Sequence, residues 1–462
     1  MKRCSILLTL LAFVIACDDK DLTSASEIQK DNLESSLLSD TVYSNVVTLE
    51  EAKKELEAFL SDNSQSISKS ANEFRSKRIA DGFVMNFGKK TLSKSSADSS
   101  DAKVYVFNFE DDGGFAIMSS TRETPPIFAI TDGGNLDTTK EIDNPGLAIF
   151  MSNLEAKLIN GELNYDVDTI FQDSVTSLKK NYTPSKTKKW SVFSSYRNEY
   201  YKNENGLCPY WHQLEPFNSK CDSAGKPAFV GCVPLSCALL MSIYRYPKSY
   251  QGRTLNWDDM LVNNNSDDIA WLLRELGEKE NLDVEYGTID SSDGSGAFPE
   301  NNPRTLKNFG YSNGGKCDNY NTNYVSADLK KGYPVLIAGH SFYEDTISAN
   351  GRPYRIYYGG HQWLGQGLMI RTRDEYHYIG EQQYTTFVGM TTTTDYYILC
   401  NMGWGYSWRN GYYLSKVFDA SEGPEFPESY DKPQTYTYSK KQLVGKQNYY
   451  QYIIKAVTGI RK

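Results

Sequence analysis

Cys232 stands where a thiol can act as a nucleophile. It lies in Phe229-Val230-Gly231-Cys232-Val233-Pro234, and Leu235, Ala238, Leu239, Met241, Ile243 and Tyr244 continue as an apolar helix running to Tyr246 and stopped by Pro247. Pro234 fits only in a first helical turn, where a missing N–H costs nothing. Cys232 therefore falls at or just before the helix start. The positive end of the helix dipole there favours thiolate over thiol. An ordinary cysteine is about 3% ionised at neutral pH, and a pKa below ~5.5 raises the reactive fraction roughly thirtyfold. Burial as a plain core residue is among the commonest fates of a free cysteine, so the local sequence leaves both readings open. Cys237, about 140° around the same helix, is expected in the core.

A thiolate nucleophile needs an acid/base partner, and the chain has four histidines. His361, in Tyr358-Gly359-Gly360-His361-Gln362-Trp363-Leu364, follows two glycines that permit close backbone approach and precedes a predicted strand, a setting that suits a base on the rim of a cleft. His340 ends the apolar run Pro334–Ala338 and is the runner-up. His377, between Tyr376 and Tyr378, is expected to make a surface hydrogen bond. His212 lies too near Cys232 in sequence to be the usual distant partner. HExxH and CxxC are both absent, so no metal site and no cofactor is expected.

The elements around these residues divide the 462-residue chain in two. Residues 18–189 hold no His, Trp or Cys and four of the 34 Tyr, while residues 190–462 hold every His and Trp, the other 30 Tyr and six of the eight Cys. The reactive side chains all belong to the second unit. In the first, Thr48 with Glu51 predicts a capping box opening a helix through Leu49, Ala52, Leu56, Phe59 and Leu60. Val104–Phe109 and Gly114–Ser119 read as a hairpin about Glu110–Gly113, with a third strand at Pro126–Ile130. Asn144-Pro145 starts a helix through Leu147, Phe150, Met151, Leu154 and Leu158. The net charge of −9 repels phosphate backbones, which argues against nucleic-acid partners. A hydrophobic content of 39% supports real cores and excludes global disorder.

Residues 1–17 read as an export signal. Lys2 and Arg3 precede an apolar stretch, Ile6–Ala16, that as a helix would span only about 16 Å, short of the ~30 Å hydrocarbon core. Val14-Ile15-Ala16-Cys17 resembles a bacterial lipobox, which makes Cys17 the expected lipid attachment point. The expected locality is an exported lipoprotein at the outer membrane or cell surface, bound through that anchor or released by processing. Residues 177–189, with five lysines and Pro184, are the expected linker and a candidate processing site, between a first domain at 18–176 and a second at 190–462.

Read together, Trp211-His212-Gln213-Leu214-Glu215-Pro216-Phe217-Asn218, Gly231-Cys232-Val233, Asn256-Trp257-Asp258-Asp259-Met260, Pro334-Val335-Leu336, Gly360-His361 and Asn401-Met402-Gly403-Trp404-Gly405 resemble the streptopain family of bacterial papain-fold cysteine peptidases. The first unit resembles that family's propeptide through Val104-Tyr-Val-Phe-Asn-Phe109 and Gly114-Phe-Ala-Ile-Met-Ser119. The resemblance implies an α+β fold: a papain-like cysteine peptidase domain, with a helical and an antiparallel β subdomain, behind a small α+β propeptide domain. It implies Cys232 as nucleophile, His361 as acid/base, Gln213 as oxyanion-hole side chain, Asn401 as the residue orienting the imidazole and Trp404 as its aromatic shield. It also places Ser295 and Gly360 against substrate. The implied partners are protein or peptide substrates and the chain's own propeptide as an intramolecular inhibitor.

The chain departs from the family pattern at Met402, where a Trp is usual, at Gln366, where an Asp is usual, and at Pro234, where a small residue is usual. Two other functions stay open at this point: a catalytically impaired papain-fold surface protein binding host or matrix ligands, and a cell-wall amidase. Arg371–Asp395, with its Thr391–Thr394 run, reads as an extended excursion and a candidate rim loop. Tyr430–Ile454 is expected to complete the sheet, and Cys208 with Cys221 is the nearest pair for a disulfide by sequence proximity.

Overall fold

Local chemistry sets the starts of the first unit's helices. In the computed structural model the Thr48 N–H donates to the Glu51 carboxylate at 2.8 Å and the Glu51 N–H returns to Thr48 Oγ1 at 3.2 Å, both halves of a capping box. They open α1, Leu49–Ser61, which buries Ala52, Leu56, Phe59 and Leu60. The Asn144 side chain caps α2, Pro145–Ile159, by accepting from the Leu147 N–H at 3.0 Å, and Pro145 sits in the first turn. The structure describes residues 45–61, 76–87, 102–165 (less 138, 140, 141 and 143), 188–419 (less 291–293, 341, 348–352, 382–383 and 406–408) and 454–462. The export signal with Cys17, residues 177–187 of the linker and residues 430–453 lie outside these.

Twelve strands form one sheet. The first unit supplies β1 (Ile79–Phe87), β2 (Ala102–Phe109), β3 (Phe115–Ser119) and β4 (Ile127–Thr131) as an antiparallel meander. The second supplies β5 (Lys188–Phe193), β6 (Arg197–Lys202), β7 (Asn313–Asn319), β8 (Val335–Gly339), β9 (His361–Glu381), β10 (Tyr384–Asn401), β11 (Gly411–Leu414) and β12 (Lys455–Arg461). The order is β1-β2-β3-β4-β11-β10-β9-β8-β12-β7. The two units join where β4 pairs antiparallel with β11, Tyr412 opposite Ile130. One edge of β9 is shared in succession by β8 at 361–365, β6 at 367–372 and β5 at 375–380.

Two expectations are corrected here. Arg371–Asp395 is not a rim loop: its residues are the far halves of β9 and β10, paired almost throughout, with Thr391–Thr394 opposite Glu375–Thr372. β-branched threonines suit a strand better than a loop, and the run carried that signal. Lys188 and Lys189 belong to a strand, opposite Gly380 and Ile379, rather than to an open linker. The C-terminal strand that enters the sheet is β12, at 455–461, between β8 and β7.

The helices of the second unit are α3 (Cys232–Tyr244), α4 (Trp257–Val262), α5 (Ser266–Leu276), α6 (Asn302–Asn308), α7 (Thr322–Lys330) and α8 (Ser415–Phe418). Strand alternation splits the core across β8 and β9. Val335, Ile337 and Trp363 join the first unit's Leu147, Ile149 and Phe150, whereas Leu336 and Leu364 join the cluster around α3. The sheet thus separates α3 from α2.

Polar contacts fasten the first unit onto the second. Glu55 on α1 reaches Arg371 at 2.7 Å, and Arg371 is 2% exposed with Tyr196 and Phe59 against its guanidinium. The Tyr165 hydroxyl donates to Asp395 at 2.9 Å, the Tyr397 hydroxyl to the Ile127 carbonyl at 2.9 Å, and Lys157 Nζ to the Asp419 carbonyl at 2.7 Å.

Candidate active site

Gly231 turns the chain into α3. Its φ of 93° is one that side-chain-bearing residues rarely adopt, and a Cβ there would lie 3.3 Å from both Ser295 Cβ and the Ser295 carbonyl oxygen. Cys232 is then the first helical residue, with Pro234 two places on. Burial pushes the thiol up to about 11, and the nearby backbone N–H groups of Gln362, Cys232 and Val233 oppose it by favouring thiolate. Cys237, on the same helix, is fully buried.

His361 heads β9, next to Gln362. The His361 side chain is engaged elsewhere. Nε2 lies 2.9 Å from the Met402 carbonyl oxygen, and the ring is flanked by Trp363 and Trp404 at centroid distances of 6.1 and 6.3 Å, nearly parallel to both. A carbonyl only accepts, so Nε2 carries the proton and Nδ1 keeps its lone pair. That is the tautomer a base on the Nδ1 side requires. Burial, opposed by the Met402 contact, drags the imidazole down to about 4. Thiol and imidazole are both neutral at physiological pH in this state.

The start of α2 covers this side of the site. A Cβ on Gly146 would lie 2.5 Å from Met402 Sδ and 3.3 Å from His361 Cδ2. The first unit therefore rests directly on the imidazole and on the residue holding it.

Asn401 does not touch His361. Its Nδ2 donates to the Cys208 sulfur at 3.1 Å, and its Oδ1 accepts from the Gly403 N–H at 2.9 Å. The adjoining backbone carbonyl, at Met402, makes the contact expected of the Asn401 side chain. Asn410, which the sequence did not single out, fixes that backbone: its Oδ1 accepts from the Met402 N–H at 2.7 Å and its Nδ2 donates to the Gly405 carbonyl at 3.3 Å. Trp363 was also missed, although its alternation with Leu364 in an apolar run could have placed it on the histidine's face.

Gln213 is buried, and its carbonyl accepts from the Val230 N–H at 3.1 Å, which ties it to the chain entering α3. Its carboxamide has no hydrogen-bond partner among the described residues. Ser295 is buried with its hydroxyl 2.6 Å from the Phe229 carbonyl and 3.0 Å from the Gly287 N–H. These bonds brace the approach to Gly231 and leave little of the hydroxyl for a ligand. Gly360 is half-buried beside His361, and the positive φ falls on Gly359.

The other histidines are elsewhere engaged. His340 neighbours Lys455 and Glu300, and burial lowers it to about 4. His377 is buried rather than on the surface, with Nε2 2.8 Å from Thr391 Oγ1 across the β9–β10 ladder. His212 packs edge-on against Phe217, and its Nδ1 accepts from the Leu214 N–H at 3.3 Å. Cys208 and Cys221 are both free, as are the other described cysteines. Among the described residues no cluster of metal-ligating side chains occurs and no helix is long and apolar enough to cross a membrane.

Comparison with known proteins follows this division. Residues 44–158 match the family model described as Spi protease inhibitor, and residues 211–413 match that of the Peptidase C10 family. Among solved structures, a prointerpain A fragment from Prevotella intermedia is 16% identical, covers 73% of this chain and 94% of its own, and superposes with a TM-score of 0.40. Active wild-type interpain A cysteine protease from the same organism is 18% identical over 46% of this chain and 85% of its own, with a TM-score of 0.31. No curated protein matches the chain. The two family models carry the assignment.

Proposed function

The chain belongs to the Peptidase C10 family and is a cysteine-type endopeptidase behind an inhibitory propeptide, and from that premise we propose that it is the zymogen of an exported, lipid-anchored enzyme working through Cys232 and His361. The Cys232 thiolate attacks the peptide carbonyl, and protonated His361 gives its proton to the leaving amine. Water activated by neutral His361 then hydrolyses the thioester. The Gln213 carboxamide and the Cys232 N–H hold the oxyanion, one such donor being worth about 2.7–4 kcal/mol. The Met402 carbonyl fixes the tautomer, Asn401 and Asn410 shape the loop that presents it, and Trp404 shields the ring. Gly360 lies where substrate backbone passes.

The observation that carries this reading is the convergence at the head of β9. The residue after His361 is tied through Ser236 to the Cys232 carbonyl, while α2 lies against the imidazole and both reacting groups are held neutral. That arrangement, with no hydrogen bond between the sulfur and the imidazole, supports a zymogen held silent. Export and anchoring rest on Lys2, Arg3, the apolar run and Cys17.

An epoxide thiol-protease inhibitor tests the peptidase. The converted chain is expected to label and Cys232→Ala is not. Equal labelling of both would leave the ligand-binding surface protein as the better reading. Detergent partitioning of wild type against Cys17→Ser tests the anchor, and equal partitioning would remove it.

A further inference from the structure

Gln362 faces α3 while its neighbours His361 and Trp363 face the first unit. It is 2% exposed, and its carboxamide is bonded on both sides. Nε2 donates to Ser236 Oγ at 2.8 Å, one turn beyond Cys232, and lies 3.4 Å from Asn302 Oδ1. Asn302 Nδ2 donates back to Gln362 Oε1 at 3.0 Å and to the Pro299 carbonyl at 2.8 Å. The Ser236 hydroxyl in turn reaches the Cys232 carbonyl at 2.8 Å and the Val233 carbonyl at 3.0 Å. A chain of buried polar groups thus runs from α6 through β9 to the first turn of α3.

The clamp reaches the backbone that carries the nucleophile, since the Ser236 hydroxyl that Gln362 holds is itself bonded to the Cys232 carbonyl. This part of β9 is weakly held otherwise. β10 pairs with β9 only from Leu364 onward, so residues 361–363 are laddered on one edge, by β8. Some contact besides the ladder must therefore fix the head of the strand against the helix.

We propose that Gln362 is a positioning residue for the nucleophile: its carboxamide clamps the head of β9 to Ser236 and Asn302, and the clamp holds the first turn of α3, with Cys232 in it, against the strand that carries His361. The inference rests on Cys232 being the nucleophile. It assigns Gln362 a role in setting thiolate availability and the spacing of Cys232 from His361, with no contact to substrate.

The test is the pH dependence of iodoacetamide alkylation at Cys232, with Cys232→Ala as the background from other thiols. It is measured on the full chain and again after limited proteolysis within residues 166–187, alongside peptide hydrolysis and thermal melting. Gln362→Met keeps the length and removes the hydrogen bonds, and Ser236→Ala removes the partner on α3 and serves where Gln362→Met fails to fold. Both are expected to raise the alkylation midpoint by about one pH unit and to lower kcat/KM about tenfold with KM little changed, as the first turn of α3 that favours thiolate loosens from β9. A variant that melts earlier but keeps the wild-type midpoint and kcat/KM would overturn the proposal, leaving Gln362 a core residue. A wild type that alkylates at Cys232 yet hydrolyses no peptide would refute the peptidase reading, and the alkylation midpoints alone would then decide the role of Gln362.

Discussion

Replacing Gly146 with valine should loosen the propeptide and wake the zymogen. Gly146 has ordinary helical backbone angles, so it is close approach and not conformation that requires a glycine. A Cβ would lie 2.5 Å from Met402 Sδ, and comfortable contact between such atoms is about 3.5–4.0 Å. One partner must therefore move by about an ångström. Met402 is fully buried and cannot swing into solvent, and His361 Cδ2 and Asn144 Oδ1, each 3.3 Å from the same point, block escape sideways. Overpacking of this kind costs about 1–3 kcal/mol. Valine is a better helix former than glycine by only a few tenths of a kcal/mol, so the clash wins. If the cost falls on docking, release becomes roughly 5- to 150-fold more favourable. The assay is the rate of epoxide labelling of the uncut chain, with Gly146→Ala as a milder step in the series. Both variants labelling at the wild-type rate, with α2 still folded by hydrogen exchange, would refute the claim that α2 silences the site through this contact.

Other consequences follow from the same interface. Glu55→Ala strands the buried Arg371, whose Nε and Nη1 already lack partners; breaking such a pair costs about 3–5 kcal/mol. Because Glu55 is about a third exposed, the low end is expected, seen as faster conversion of full-length chain on gels. Acid should also favour release. Docking holds His361 at about 4, below its ordinary 6.5, so its contribution to docking is complete above pH 6.5 and declines as pH falls toward 4, by up to about 1.4 kcal/mol per unit. Asp395, raised to about 6 by burial and bonded by Tyr165, opposes this below pH 6, so the steepest gain in labelling is expected between pH 6.5 and 6. A labelling rate flat across that interval would contradict the burial of the imidazole. Finally, because Lys188–Phe193 is paired along β9, N-terminal sequencing of the converted chain should begin at or before Lys188. A start beyond Phe193 would mean that β5 is not part of the mature sheet.

The residues that determine local conformation could be read directly. Thr48 and Glu51, Asn144 with Pro145, the Glu110–Gly113 turn, and Gly231-Cys232-Val233-Pro234 each set a φ value, a cap or a missing donor within a few positions of themselves. Their elements begin within a residue or two of where those signals place them. The thiol at a helix start was equally available, because helix polarity is a short-range property. What no such signal could reveal is which face of β9 each residue meets. Placing His361 beneath α2 and Gln362 against Ser236 depends on which helix lies on which side of the sheet. The Met402 carbonyl taking the contact expected of Asn401, the burial of His377 and the Glu55–Arg371 tie depend on pairings across 14 to 316 positions. Such contacts form only when the whole sheet closes, since their energy comes from excluding water between segments that have no local reason to meet.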